Sequence, residues 1–307
     1  MDYLIRKIKN AKYSDEPFNH IYIENFFSES DFQKIISFSE VNFPKLIDDS
    51  HLFKQLASTS YEPISFPGCT TNIKSYTKWH GNKNQDNYNQ DTCEGFGMAF
   101  RNKNIDNHEL RKIVSFFNSN QFRDALMNKF HLKKSEVNYD YGLQKYLDGY
   151  EISPHPDRRD KALTYMININ PCSMSDQNNI HTHYLKLKKK YNWISEYWKY
   201  NELVQTCWLP WQWFDTEFIQ TKNNSIVIFA PSYNTFHAVQ AKYDHLAFQR
   251  TQIYGNFWFK KRETKLHPQW RDYVIKDSPA KYNLSKFKLF WYRLFKEKKH
   301  IAKGRGH

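Results

Sequence analysis

Three side chains that can bind a metal stand at the ends of predicted strands. His155 and Asp157 belong to the tripeptide HPD, and His237 follows the apolar run SIVIFAP further along the chain. Because strand side chains alternate between the two faces of a sheet, His155 and Asp157 point the same way and can bind one ion. Two imidazoles and one carboxylate form the set that holds non-heme Fe(II) with open coordination positions. The spacing predicts a metal site at these three residues.

A single arginine opens the next predicted strand. Arg250 begins the run RTQIYGNFWF, thirteen residues after His237. A guanidinium binds a carboxylate through two parallel hydrogen bonds and keeps its charge at every working pH. If a dicarboxylate cosubstrate binds the metal at one end, Arg250 is the natural partner for the other end.

Alternative interpretations of these histidines are structural. An HxD pair is common, and a lone buried histidine more often makes hydrogen bonds in a core than it binds a metal. A second pair, His181 and His183, lies in a polar run without strand context, and we expect it at the surface. The order of an HxD pair, a histidine after an apolar strand and an arginine opening the next strand is far more specific than any one part.

Short strands at near-regular spacing predict the fold class. They are separated by turn residues, which is typical of an all-β sandwich or a jelly roll. We therefore expect a mainly β protein with flanking helices and a jelly-roll core. The predicted strands are Phe18–Phe27, Tyr139–Tyr146, Ala162–Asn170, DTEFIQ, SIVIFAP, TFHAVQ and RTQIYGNFWF. Helices are predicted after an N-cap at Ser28 or Ser30 and over Glu109–Phe130.

Two other segments lack this regular spacing of short strands and turns. Asn42–Asn107 is polar and broken by prolines, so we expect a loop region, and its run GNKNQDNYNQD is expected to be an exposed loop. Residues 172–214 are rich in aromatic side chains and are predicted to be an insertion outside the sheets. We expect one domain over residues 1–260 and a basic helical extension over residues 261–307.

The net charge of +13 is concentrated at the C-terminal end. From Lys260 onwards, fifteen Lys and Arg face four Asp and Glu, which accounts for eleven of those charges. A phosphate-binding catalytic groove is not indicated, and nucleic acid is an unlikely partner on this ground. The segment Leu284–Lys299 predicts a basic helix that either packs on the β core or makes a peripheral contact with a membrane or a partner.

The cysteines and the N-terminus suggest a location. Cys69, Cys93, Cys172 and Cys207 are widely spaced without a CxxC motif, so neither a zinc ribbon nor a dense disulfide framework is expected. The N-terminal residues contain no apolar run of signal-peptide length, and no transmembrane stretch is expected. A cytoplasmic protein is therefore the expectation.

The motifs resemble those of the Fe(II)/2-oxoglutarate-dependent dioxygenases, within the prolyl-4-hydroxylase-like branch. The resemblance covers FNHIYIENFFSESDF, YLDGYEISPHPD with KALTYMININP, and NNSIVIFAPSYNTFHAVQ with QRTQIYGNFWF. It implies a double-stranded β-helix, Fe(II) bound by His155, Asp157 and His237, and 2-oxoglutarate bound by Arg250, with O2 as the second cosubstrate. By position, Tyr146 and Asn168 resemble residues that contact the cosubstrate, Asn168 standing where a tyrosine is common. Thr164 and Gln144 are weaker candidates for that contact.

The resemblance implies hydroxylation of an organic substrate. A prolyl or other side chain of a peptide or protein is favoured, and a small metabolite or a glycan is the alternative. Substrate contacts are expected from Arg159, Trp211 and Trp213. Two further alternatives are a noncatalytic jelly-roll module that docks on nucleic acid or membrane through its basic tail, and a nucleic-acid demethylase, which the near-neutral charge of the core disfavours.

Overall fold

Two antiparallel β-sheets form the centre of the molecule. The computed structural model describes residues 1–65, 69–82, 96–202 and 204–261. Within these ranges the larger sheet has seven strands, in the spatial order β1 (Ile21–Ile23), β9 (Ile226–Phe229), β6 (Lys161–Asn168), β11 (Arg250–Phe259), β4 (Val137–Tyr146), β3 (Ala99–Asn102) and β2 (Tyr61–Ile64). The smaller sheet has four, in the order β5 (Glu151–His155), β10 (His237–Gln240), β7 (Thr182–Leu187) and β8 (Phe214–Ile219).

The chain crosses repeatedly between the two sheets. From β4 to β11, successive strands lie in the larger, smaller, larger, smaller, smaller, larger, smaller and larger sheet, and every paired strand is antiparallel. Eight strands wound in this way between two facing sheets make a jelly roll. The predicted fold class, mainly β with flanking helices around a double-stranded β-helix core, is confirmed.

Helices cover the outer face of the larger sheet. They are α1 (Asp2–Asn10), α2 (Glu29–Ser37), α3 (Asp49–Ser58), α4 (Ile73–Gly81), α5 (His108–Phe116) and α6 (Asn120–Lys129), with α7 (Trp193–Tyr200) elsewhere in the chain. The Ser28 side chain accepts a hydrogen bond from the Asp31 N–H at the start of α2, so the predicted cap is confirmed. Phe117 and Phe122 pack on Tyr165 of β6.

A glycine permits the close packing of the neighbouring strand. A Cβ placed on Gly255 of β11 would lie 2.0 to 2.2 Å from the ring of Tyr165. Any larger residue would displace that ring, which contacts the helical layer. The long central strands of the larger sheet are thereby fixed against the helices and provide a rigid base for the opposite sheet.

The structure corrects two predictions about segments. Asn42–Asn107 contains α3, β2, α4 and β3 and buries Leu52, Tyr61 and Phe100, so it is not a simple exposed loop region. Residues 172–214 include β7, which lies between β10 and β8 in the smaller sheet, so the segment is not outside the sheets. The first predicted strand is shorter than expected, spanning only Ile21–Ile23.

Several expectations concern residues outside the described ranges. These include Cys93, the predicted helix Leu284–Lys299 and the whole basic extension over residues 261–307 apart from Lys261. The domain boundary near residue 260 therefore stays a prediction. Among the described residues, Cys172 and Cys207 are free thiols, and no helix is long and apolar enough to cross a membrane.

Candidate metal centre

Three side chains converge where β5 ends and β10 begins. His155 is the last residue of β5 and His237 the first of β10, and the two face each other in the strand register. Asp157 lies in the turn after β5 with a φ of 67°, a left-handed conformation that Asp adopts more readily than most residues. One ligand atom from each residue lies within 4.8 Å of the others, and all three residues are buried. The structure therefore brings the predicted triad together.

Both imidazoles have their lone pairs directed toward the centre. His155 Nδ1 lies 2.8 Å from the Ser153 carbonyl oxygen, and His237 Nδ1 lies 3.0 Å from that of Thr235. Since a carbonyl oxygen only accepts hydrogen bonds, each Nδ1 carries the hydrogen and each Nε2 has a free lone pair. The Nε2 atoms of His155 and His237 lie 3.6 and 3.9 Å from the Asp157 carboxylate oxygens, beyond hydrogen-bond distance. This is the tautomer and spacing of ligands arranged around an ion.

Two neighbours orient the carboxylate of Asp157. Lys161 Nζ donates to Oδ1 at 2.7 Å, and Thr164 Oγ1 donates to Oδ2 at 2.9 Å. Burial alone would raise the pKa of this carboxyl, but the charge of Lys161, followed by the interactions with His237 and His155, holds the pKa well below its usual value. Asp157 is consequently an anion at neutral pH, ready to bind a cation.

Aromatic side chains shield the two histidines. The ring of Trp208 lies 4.8 Å from that of His155, and the ring of Phe229 lies 5.0 Å from that of His237. Burial, followed by the proximity of His155, lowers the pKa of His237 to about 3. His237 is therefore neutral at physiological pH, as a metal-binding imidazole must be.

A buried arginine lies deeper in the jelly roll. Arg250 is 2% exposed, and its Nη2 donates to Thr182 Oγ1 at 3.1 Å, while its Nη1 is buried and has no hydrogen-bond partner in the described part of the chain. Its guanidinium stacks over the ring of Tyr146, with 4.3 Å from Cζ to the ring centroid. No carboxylate among the described residues lies within 4.0 Å of it. A buried cation with an unused donor is a site for an anion.

The strand register relates this arginine to the triad. His237 pairs with Tyr184 of β7, and Arg250 binds Thr182, which is two residues further along the same strand. Two residues of a strand span about 7 Å. A five-carbon dicarboxylate can bridge a distance of this order, so the donor set and the orphaned Nη1 together fit Fe(II) and 2-oxoglutarate.

His181 is buried beside the same arginine. It is 5% exposed, its Nε2 lies 3.0 Å from the Ser175 carbonyl oxygen, and His183 follows within β7. Burial, followed by the charge of Arg250, lowers the pKa of His181 to about 4. The predicted surface location is wrong for His181, which is buried immediately before β7 begins.

The other predicted cosubstrate residues differ in their contacts. Tyr146 supports Arg250 as described, whereas Thr164 bonds to Asp157 and so orients a metal ligand. The Asn168 amide donates to the carbonyl oxygens of Gln220 and Lys222 and accepts from Gln252, so a cosubstrate contact would break one of these bonds. Gln144 accepts a hydrogen bond from Arg101 at 3.1 Å.

The predicted substrate residues have structural contacts. Arg159 donates to the carbonyl oxygens of Val204, Trp198 and Asn201, and it stacks on the Trp198 ring at 3.6 Å. Trp211 donates to Glu151 at 2.8 Å, and Trp213 stacks on Tyr191 at 4.6 Å. Both tryptophans belong to the apolar layer with Leu185 and Leu187 of β7. Trp208, which is not among the predicted substrate residues, contacts the triad through the ring of His155.

A second group of potential metal ligands is a hydrogen-bond cluster. Asp49 Oδ2 lies 2.8 Å from His80 Nδ1, and Asp49 Oδ1 lies 2.9 Å from His245 Nε2. The Asp148 N–H donates to His245 Nδ1 at 3.2 Å, so the hydrogen of His245 is on Nε2 and bonds to Asp49. The lone pair that a metal would need at Nε2 is therefore absent, in contrast to His155 and His237. The cluster ties α3 and α4 to the loop before β11.

Comparisons with known proteins find similarity of structure only. No protein-family model matches the sequence, and no curated protein matches it. A prolyl-4-hydroxylase from Pseudomonas putida is similar at 9% identity over 84% of this chain and 98% of that one, with a TM-score of 0.43. A prolyl hydroxylase from Trichoplax adhaerens, in complex with a hypoxia inducible factor oxygen degradation domain peptide fragment, is 10% identical. The match covers 84% of this chain and 88% of that one, with a TM-score of 0.40. EvdO2 from Micromonospora carbonacea var. aurantiaca, complexed with 2-oxoglutarate, is 9% identical. The match covers 52% of this chain and 67% of that one, with a TM-score of 0.30. At these values the similarity carries no functional argument, and the chemistry of the site rests on its own residues.

Proposed function

We propose that this protein is a non-heme Fe(II)- and 2-oxoglutarate-dependent oxygenase of the prolyl-4-hydroxylase-like branch. The observation that supports it most is the pairing of the two centres. Two imidazoles with free Nε2 lone pairs surround an ionised carboxylate, and a buried guanidinium with an unused donor lies two strand residues away. A metal chelator with a distal carboxylate satisfies both at once.

Each residue has a role in holding the reactants. His155, Asp157 and His237 would hold Fe(II). Arg250 would bind the far carboxylate of 2-oxoglutarate, with its guanidinium held in place by Tyr146 and Thr182. When bound, the iron and 2-oxoglutarate supply O2 activation, in which one oxygen atom enters a substrate C–H bond and the other enters succinate as CO2 is released.

The protein controls protonation and water around this chemistry. Lys161 keeps Asp157 ionised, and the carbonyl oxygens of Ser153 and Thr235 keep the histidine tautomers fixed. Hydrogen bonds of this kind to the metal ligands fix their tautomers, orient them and raise metal affinity. Trp208 limits solvent at the His155 side.

The substrate is a narrower proposal. A prolyl or other side chain of a peptide or protein is favoured by the sequence resemblance, and a small metabolite or glycan is the alternative. The reaction in both cases is hydroxylation.

Exchange of a single carboxylate tests the proposal. We expect Asp157→Ala to abolish iron binding and succinate formation from 2-oxoglutarate, because the two histidines alone lack the anionic ligand. Iron content after anaerobic loading and succinate release are the measurements. Asp160→Ala is the matched control, since Asp160 pairs with Arg158 at the surface and does not touch the triad. Undiminished iron binding and succinate release in Asp157→Ala would rule out the proposed function.

A further inference from the structure

A cleft opens beside the metal ligand Asp157. It has a volume of about 510 Å³ and is lined by Pro156 and Asp157 on one side and by Ser232 and Tyr233 from the turn before β10 on another. Its remaining walls come from the start of β6, from α7 and from the end of β11. The cleft therefore borders the triad at Asp157.

Positive charge dominates the lining of this cleft. Two carboxylates, Glu136 and Asp157, face five cationic side chains. The five are Arg158, Arg159, Lys161, Lys199 and Lys261. A divalent metal at the triad would add further positive charge. A concave surface lined by one sign of charge concentrates ligands of the opposite sign.

These cations differ in how firmly they are held. Arg159 donates hydrogen bonds to backbone carbonyl oxygens, which position its guanidinium. Arg158 pairs with Asp160 at 2.7 Å, but its side chain is 57% exposed, and exposed pairs of this kind contribute only about 0–1 kcal/mol. An incoming anion can replace Asp160 at little cost.

Two lysines complete the positive rim. No carboxylate among the described residues lies within 4.0 Å of the Lys199 or Lys261 ammonium group. Lys199 Nζ instead lies 5.1 Å from the centroid of the Tyr233 ring, which is itself 42% exposed. Both lysines are available to a ligand in the cleft.

We propose that the substrate oxidised at the triad has an anionic group, a carboxylate or a phosphate, that binds this cleft. The inference rests on the proposed function and names the substrate class of the same site. The cleft has the size of sites that take small organic ligands, about 300–1,000 Å³. The anion comes from a small phosphorylated or carboxylated metabolite or from an acidic side chain next to the oxidised residue of a peptide.

Charge reversal at the rim tests the inference through binding. We expect the double variant Lys199→Glu/Lys261→Glu to lose at least tenfold in affinity for anionic probes, measured by isothermal titration calorimetry at fixed ionic strength. The probes are inorganic pyrophosphate and a proline-containing peptide flanked by glutamates. Lys54→Glu is the matched control, because Lys54 is an exposed lysine of α3 that does not line the cleft.

The outcomes identify the source of the anionic group and distinguish failure of this inference from failure of the proposed function. Pyrophosphate binding that is lost in the double variant supports a phosphorylated small molecule, and peptide binding that is lost supports an acidic peptide. If wild type and double variant bind both probes equally, or bind neither, the inference is wrong. Turnover that is confined to substrates without an anionic group would also overturn it. Succinate release from 2-oxoglutarate in the absence of a substrate to be oxidised tests the triad separately. If no succinate is released, the proposed function is contradicted, and the binding results with the two probes remain valid.

Discussion

Removing the buried guanidinium should strongly weaken cosubstrate binding without unfolding the protein. Among the described residues, the Arg250 Nη1 has no hydrogen-bond partner and its Nη2 bonds only to Thr182. Truncating one partner of a buried, hydrogen-bonded charge pair costs about 2–5 kcal/mol of binding free energy. For Arg250→Met we therefore expect the Kd for 2-oxoglutarate to rise by about 30-fold to about 4,000-fold.

Stability should respond in a different direction. Holding an unpaired cation in the interior has a desolvation cost of several kcal/mol, and apolar replacements of buried charges are often neutral or stabilising. The variant loses the stacking on Tyr146 and the bond to Thr182, which partly offset this gain. We expect the free energy of unfolding without ligand to stay within about 1 kcal/mol of wild type or to rise.

Two measurements on the same samples test this reasoning. Calorimetry gives the affinity for 2-oxoglutarate under anaerobic Fe(II), and urea denaturation gives stability with and without the ligand. At a ligand concentration 100 times the wild-type Kd, wild type should gain about 2.7 kcal/mol and Arg250→Met no more than about 0.9 kcal/mol. Arg101→Met is the control, since Arg101 stacks on Tyr254 at 4.4 Å in the same sheet. Near wild-type affinity in Arg250→Met would refute the assignment of this arginine to the cosubstrate.

Three further predictions concern residues around the site. Thr164→Val removes the bond to Asp157 Oδ2 and should weaken iron affinity by about 10- to 100-fold, measured by chelator competition; unchanged affinity would contradict the orienting role. Trp211→Phe leaves Glu151 without the indole N–H and should destabilise the fold by about 1–3 kcal/mol in urea while leaving succinate release unchanged; a large loss of activity at unchanged stability would instead support a substrate contact. Burial lowers the pKa of His245 below its usual 6.5. Below about pH 6.5 the unfolded chain therefore takes up a proton at this residue that the folded chain does not, so wild-type stability should decrease as the pH decreases. His245→Gln should lessen the difference in unfolding free energy between pH 7.5 and pH 5.5, with His51→Gln as an exposed control. The same difference in wild type and in His245→Gln would refute this prediction.

The triad was predictable because it depends on local pattern. His155 and Asp157 share a face through strand alternation, and His237 follows a short, strongly apolar strand. These are properties of a few consecutive residues. Asp157 has a left-handed backbone and bonds to Lys161, four residues on, which a strand-based reading of HPD does not anticipate.

Strand β7 was missed for a physical reason. Its inward residues Thr182 and Tyr184 and its outward residues Leu185 and Leu187 are all buried, the latter under the aromatic loop that ends in β8. A strand covered on both faces has no polar and apolar alternation to reveal it. The same loop places Trp211 and Trp213 on the outer face of the sheet, a distinction that aromatic content alone does not make.

The positive cleft was also invisible to a count along the chain. Its cations come from the turn after β5, from β6, from α7 and from the end of β11. Each segment contributes one or two charges, and only the folded chain brings them together beside Asp157. A near-neutral total for the core is compatible with a strongly basic local surface.

An anomalous difference map from crystals grown anaerobically with Fe(II) and 2-oxoglutarate, recorded at the iron absorption edge, tests the central claim most directly. We expect one peak bound by the Nε2 atoms of His155 and His237 and a carboxylate oxygen of Asp157, with a ligand carboxylate on Arg250 Nη1. A peak at Asp49, His80 and His245 instead, or an empty triad beside bound 2-oxoglutarate, would contradict it.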